Sequence, residues 1–368
     1  MADKIKIGII GVGQIGKQHV GNYKKIPGAE IVAVADIDEP EAKRVAAENN
    51  IPQVFTNFHD LLDLDEIQAV DVCLHNNLHA PVTIAALNAG KNVYCEKPMA
   101  GSLADAKKML DTAQKKNLKL SIQLATIFAA ETKAAKRLID GGHLGKIYSA
   151  HSKGFRRRGR PYVDGYGTSF FVQKPVAAGG ALFDMGVYHI TQVMYLLGNP
   201  EILSVSGATH QETDMYEDRR KKGMYSVEEL ALGFIRLAGG ISLCLEESWA
   251  VHMDGGDSSR IFGSKGGVKL SPFSYHRTIE DMEMNGTFDL GSADWRWHQC
   301  IPDTNAYDSP QHHWIAALQD RVPLMDTTGL ALAAMKISEG IYLSQAKGRE
   351  VTGKEIEKST KSTAIKGL

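Results

Sequence analysis

The segment Gly11-Val12-Gly13-Gln14-Ile15-Gly16 directly follows an apolar run, Ile5-Lys6-Ile7-Gly8-Ile9-Ile10, and opens a helical stretch to about Lys25. A strand, a glycine loop and a helix in that order form a dinucleotide phosphate site. Gly11 permits the tight turn, Gly13 lets the backbone approach a pyrophosphate, and Gly16 lets helix and strand pack closely. The helix start, with Gln14 and Ile15, presents unpaired N–H groups to an anion. Asp36 closes the second β-rich run, Ile31–Ala35, about 20 residues past the loop. A carboxylate there accepts the ribose hydroxyls and repels a 2′-phosphate. Ile37 follows, where an arginine would favour that phosphate. The expected cofactor is NAD.

Lys97 supplies the second chemistry. It follows the strand-like run Asn92–Cys95 within Glu96-Lys97-Pro98. Open α/β sheets bind ligands at the carboxyl ends of their strands. An ammonium there holds a substrate hydroxyl and stabilises an alkoxide as hydride leaves. A lowered pKa would let it pass the proton as well. Farther on, Asp184 and Tyr188 are spaced i,i+4 and share a helix face. His189 lies roughly 140° round from Asp184 on a regular helix. Two assignments compete for the proton relay: Tyr188 on spacing, or His189 on chemistry if a bend at Gly186 turns it inward. Asp184 is expected to accept from a substrate hydroxyl.

These residues need a scaffold. Residues 1–123 alternate strand-like and helical stretches, which predicts a doubly wound parallel sheet of the Rossmann type. Residues 124–353 change texture. Lys146–Phe155, Ile202–His210, Val227–Leu237, Gly240–Ala250 and Gly267–Leu270 read as strands, some joined by glycine turns. They predict an α+β domain with one open, largely antiparallel sheet, with helices Asp184–Leu197 and His312–Leu318 on one face. Thr328–Ala346 is a last amphipathic helix. Residues 354–368 read as a polar, loosely held arm.

The segment from His79 to Pro98, with Gly179-Gly180-Ala181-Leu182-Phe183-Asp184-Met185-Gly186, the turn at Gly263–Gly267 and Leu343–Val351, resembles the Gfo/Idh/MocA oxidoreductase family. The resemblance covers nearly the whole chain. It implies a dehydrogenase acting on sugars, inositols or related polyols, a cis bond before Pro98, and dimers or tetramers. It places Asn76, His79, Glu96 and Gln123 with Lys97 along the cofactor. The family's usual Asp-x-x-x-His here has Tyr188 in the fourth place. Its usual Thr-Pro before Asn-x-x-His reads Leu74-His75, so His75 is expected near the nicotinamide end, against the alternative of a helix-start cap or cofactor-ribose contact. The arginine-bearing segment many members carry after strand six reads Ala125–Phe128. The wording around Asn76 and Phe183–His189 is similar to the branch acting on glycoside rings, whose sharpest expectation is oxidation at glucoside C3 to a 3-keto sugar. An NAD-dependent glycosidase working by transient oxidation and a non-catalytic NAD-bound regulator are the alternatives.

Arg156-Arg157-Arg158-Gly159-Arg160-Pro161-Tyr162 follows a second-domain strand. Arg158 and Tyr162 are its candidate substrate contacts, against the alternative of a solvated or subunit-contact loop. Trp295-Arg296-Trp297-His298 reads as an aromatic cluster in a long loop, suited to a sugar face or to an interface. Apolar residues make up 43% and charged residues 23%, an ordinary globular balance, and the formal charge of −1 disfavours nucleic acid or an anionic membrane as partner. No run is long and apolar enough for a membrane span, and Met1–Lys4 lacks the basic region of a secretory leader. Cys73, Cys95, Cys244 and Cys300 show no CxxC spacing, and no HExxH pair occurs. Reduced thiols and a cytoplasmic, metal-free homo-oligomer are expected.

Overall fold

The computed structural model describes residues 4–254, 258–365 and 367. Met1–Asp3, part of the stretch considered as a leader, lie outside the described residues. Six strands form the first sheet: β1 Ile5–Ile10, β2 Ala29–Ala35, β3 Gln53–Phe55, β4 Ala69–Val72, β5 Asn92–Cys95 and β6 Leu120–Ile122. They pair in parallel in the order β3-β2-β1-β4-β5-β6. The central strands are buried on both faces, which is why they read as apolar runs without alternation. The order reverses between β1 and β4. Their carboxyl ends therefore splay their loops apart and leave a crevice for a ligand.

The second sheet comprises β7 Ile147–Phe155, β8 Ile202–His210, β9 Leu230–Leu237, β10 Ile241–Ser248, β11 Arg260–Gly263, β12 Gly267–Leu270, β13 Phe273–Ile279, β14 Met282–Gly286 and β15 Val351–Thr352. Their order is β14-β13-β12-β11-β7-β10-β9-β8-β15, and only the β7–β10 pair is parallel. Gly239 and Gly240, at φ 78° and 75°, make the β9–β10 turn that the sequence predicts. The helices Val187–Leu197 and Thr327–Lys347 cover one face, burying Ile190, Val193, Ile337 and Ile341 against Ala150, Val205, Ile235 and Leu243. On the other face Leu232 and Phe234 of β9 remain exposed.

Four expectations are corrected. The helix Pro310–Leu318 does not cover the second sheet. Its Trp314 and Ile315 pack with Ile7, Ile9, Val20 and Tyr94 of the first domain. An apolar helix face shows that it must be buried, not against which sheet. The helix expected from Asp184 begins as a π-helical turn, Leu182–Gly186, and turns α-helical at Val187. The Trp295–His298 cluster lies on a helix, Leu290–Cys300, with Trp297 under the Arg137 guanidinium at 3.5 Å. The polar tail is held rather than loose. Thr352 and Glu355 form a capping box for the helix Gly353–Ser359, and Ile356 is buried. Beyond it, Ser362 and the Thr363 and Ala364 amides reach Asp105. Its charged residues hid these anchoring contacts.

Candidate active site

The glycine loop leaves β1 with Gly11 at φ +93°, a conformation that L side chains rarely adopt. A Cβ on Gly16 would strike the Gly11 carbonyl, whereas one on Gly13 would meet nothing within 4 Å. Gly13 therefore borders open space at the start of the helix Gln14–Tyr23, whose first residues have no side-chain cap. Gln14 and Ile15 are exposed there. Asp36 follows β2, and its Oδ2 accepts from the Val12 amide at 2.7 Å. Its Oδ1 accepts from the Asp38 amide at 3.0 Å. The acid is thus fixed beside the loop, with Ile37 fully open to solvent. These residues fit a dinucleotide: open backbone donors for the phosphates and an anchored carboxylate for the ribose. NAD should exceed NADP in kcat/KM by on the order of 100-fold, because a like charge set against a fixed carboxylate costs several kcal/mol. Asp36→Ala should narrow the gap, and a wild-type preference for NADP in the paired assay would contradict the assignment.

Lys97 lies just past β5, before a cis peptide to Pro98. Its ammonium donates to Asp184 Oδ1 and to the Asp184 carbonyl, each at 3.0 Å, and sits 4.7 Å from the Tyr188 ring centre. Burial pulls the lysine down, but Asp184, Tyr188 and Glu96 outweigh it and hold it above its ordinary value. The lowered lysine that would pass a proton is therefore corrected: Lys97 stays an ammonium. Burial raises Asp184, yet Lys97, Arg156 and the Trp249 indole keep it below the usual carboxylate range. Trp249 Nε1 donates to Asp184 Oδ2 at 3.0 Å, and Arg156 lies 3.9 Å from the same oxygen.

The two proton candidates follow a π-helical turn, Leu182–Gly186. An i→i+5 turn holds one extra residue, so Asp184 is followed one wide turn later by both Tyr188 and His189. Tyr188 faces Lys97, and burial raises its phenol above the ordinary value. His189 turns toward the second sheet, where its Nδ1 lies 2.9 Å from Glu247 Oε2 and its ring lies against Gly154. Glu247 is fully buried at an inward position of β10 and also accepts from Ser152. Burial lowers the imidazole, but Glu247 more than restores it, leaving His189 raised above its ordinary value.

The remaining candidates divide. Glu96 is buried and accepts from the Lys97 amide at 2.9 Å. Gln123 is buried and accepts from the Tyr94 hydroxyl. His79, expected along the cofactor, is fully buried, its ring nitrogens 2.7 Å from the Pro98 carbonyl and 3.0 Å from that of Leu74. It holds the turn that carries Lys97. Asn76 donates to the Ala177 carbonyl at 2.8 Å and ties the two domains together. His75 takes the N-cap position of the helix Asn76–Asn88 without a capping bond, its ring 5.0 Å from that of Phe170.

In the arginine loop both expected residues have partners within the chain. Arg158 pairs with Asp164 at 3.4 Å, and Tyr162 packs against the Arg219 guanidinium. Arg160 is buried between Asp164 and Glu229. Arg156 is the arginine that reaches Asp184, and it donates to the Tyr166 hydroxyl at 2.6 Å. Trp249 and Glu247 were missed. An acid at the inward parity of Leu243-Cys244-Leu245-Glu246-Glu247 was the available signal for the second.

Two family models match the chain. One, described as an oxidoreductase family with an NAD-binding Rossmann fold, covers residues 5–124, and the GFO/IDH/MocA C-terminal domain covers residues 132–269. The chain is 32% identical over 276 residues to the D-glucoside 3-dehydrogenase of Escherichia coli strain K12, spanning 73% of this chain and 77% of that one. It is 26% identical to the levoglucosan dehydrogenase of Pseudarthrobacter phenanthrenivorans, over 84% of this chain and 81% of the relative. A solved levoglucosan dehydrogenase in complex with NADH shares the fold, with a TM-score of 0.78 over 95% of this chain and 99% of that one at 22% identity.

Proposed function

The chain belongs to the Gfo/Idh/MocA oxidoreductase family, and on that premise we propose that it oxidises a secondary hydroxyl of a sugar or glycoside, with C3 of a glucoside as the favoured position. The observation that carries this reading is the Lys97–Asp184 pair, which joins the turn after β5 to the second domain. The relatives named for glucoside C3 and for levoglucosan support the substrate class.

Bound NAD supplies the hydride acceptor. As the substrate C–H bond breaks with its electron pair, the hydroxyl loses its proton and the carbon–oxygen bond becomes a carbonyl. Lys97 holds the reacting oxygen and offsets its growing negative charge. Because Lys97 remains protonated, the proton goes elsewhere. Glu247 fixes His189 Nδ1, which leaves Nε2 as the nitrogen that takes it. Asp184, kept ionised, accepts from a neighbouring sugar hydroxyl and fixes which carbon faces the acceptor. Residues 1–123 hold the cofactor in this reading, and residues 124–353 form the substrate wall. The setting we propose is cytoplasmic, where the free thiols stay reduced.

A panel of pyranosides, free sugars and inositols, assayed for NADH formation with identification of the product, tests the reading. A keto sugar from a glucoside supports it, and NADH formation from inositols alone overturns the glycoside assignment. We also propose a homo-oligomer that buries the bare face of the second sheet around Leu232 and Phe234. Light scattering should give a dimer or tetramer, and Phe234→Glu should weaken it. A 40.1 kDa species alone at working concentration would contradict the oligomer.

A further inference from the structure

Behind Glu96 lies a set of buried charged groups that the mechanism above does not use. His19 sits on the helix opened by the glycine loop and is almost fully buried. Its Nδ1 is 2.8 Å from Asp71 Oδ2 in β4, and its Nε2 is 3.0 Å from Glu96 Oε1. Cys73 Sγ lies 3.3 Å from Nδ1 and donates to Asp71 Oδ1. Tyr94 of β5 packs its ring 6.0 Å from the imidazole, and Tyr23 of the same helix is buried near Asp71. An ionised carboxylate only accepts, so each ring nitrogen must carry a hydrogen, and the ring is an imidazolium between two carboxylates. Burial opposes that charge, but Asp71 raises the imidazole well above its ordinary range. The other oxygen of Glu96 accepts from the Lys97 amide at 2.9 Å. A single carboxylate therefore joins His19 to the backbone of the lysine.

We propose that His19 is a positioning residue for Lys97: through Glu96 it fixes the turn that aims the ammonium and ties that turn to the helix of the dinucleotide loop. Without His19, Asp71 and Glu96 would be buried carboxylates with no cation between them. Glu96 would then take up a proton or turn toward water, and either change releases the Lys97 amide. His19, Asp71 and Cys73 also bring three potential ligand atoms within 4.8 Å of one another. Hydrogen bonds engage both ring nitrogens and the thiol.

The test compares His19→Gln, Glu96→Gln and the double variant with wild type. An amide at position 96 accepts at one end only, so Glu96→Gln loses either the His19 or the Lys97 contact. The measurements are kcat, KM for NAD, and hydrogen exchange of the backbone over residues 96–102. We expect kcat to fall roughly 10–100-fold, the usual effect of slight misplacement. KM for NAD should stay within about three-fold, and exchange in that segment should accelerate by about ten-fold. The double variant should be no worse than the poorer single one, because the residues act in one chain. Unchanged kcat with unchanged exchange overturns the proposal. Faster exchange without loss of kcat, additive losses, or a stoichiometric metal in purified wild-type protein also overturns it. If His19→Gln fails to fold, Glu96→Gln decides by the same measures. The kinetic arm rests on the dehydrogenase reading. If wild type oxidises no sugar, that reading fails by itself, and hydrogen exchange then decides the role of His19.

Discussion

Replacing Lys97 with alanine should lower kcat by about 10²–10³ while NADH still binds with near wild-type affinity. The magnitude is that of losing one preorganised contact to charge that develops only in the transition state. Lys97 donates to Asp184 and lies over the Tyr188 ring, whereas the Gly11–Gly16 loop and Asp36 would hold the dinucleotide phosphates and ribose. Binding and chemistry should therefore separate in the two measurements. Lys97→Arg should not restore the rate, because a planar guanidinium cannot place its donors where a compact ammonium does. Removing Lys97 also strips Asp184 of its nearest cation, so thermal denaturation must show that the variant is folded. A folded Lys97→Ala protein with near-normal turnover would exclude the proposed role.

The second large effect separates His189 from Tyr188. A base works only when neutral, so kcat/KM for oxidation should rise with pH through the pKa of His189, and that limb should lie above the ordinary imidazole value of ~6.5. His189→Asn should remove the limb and about 10²–10⁴ of the rate, the usual contribution of a positioned base. Glu247→Gln should move the limb to lower pH, because Glu247 is the partner that raises the imidazole. Tyr188→Phe should keep the limb. The sign of the stability effect follows from the same shift. A raised imidazole stabilises the fold below its unfolded pKa, and that contribution is lost as pH rises through the folded value. If Tyr188→Phe is the crippled variant and His189→Asn keeps its rate, the phenol is the relay.

Much of this site was legible in the sequence because its residues sit at fixed offsets from strand ends. The Gly11–Gly16 loop, Asp36 and Lys97 follow β1, β2 and β5 directly, and the alternation of strands and helices fixes which edge they share. Legibility failed where a side chain answers to a distant partner. Neither Asp184 nor Trp249 carries a local sign that they meet, because 65 residues separate them. The arginine loop announced its charge but not its direction. Arg160, buried against Glu229, and Arg156, beside Asp184, differ only in where a turn points them. The π-helical turn is invisible to 3.6-residue periodicity, so the Tyr188–His189 choice could be posed but not decided. Strands β13 and β14 were missed because their residues alternate weakly at the edge of a sheet. His19 carries no sign of its role in the sequence, because Asp71 lies in β4 and Glu96 follows β5.

Hydride removal from a ring carbon bearing a secondary hydroxyl can be followed directly by isotope transfer. The protein should be incubated with NAD and a methyl glucoside deuterated at C3, and both products analysed by mass spectrometry and NMR. One deuterium is expected in each NADH formed, with a 3-keto glycoside lacking that deuterium and a slower rate than with the undeuterated sugar. NADH that forms without deuterium would place the oxidation at another carbon. Cleavage of the glycoside with no accumulated NADH and no keto product would contradict the dehydrogenase account itself.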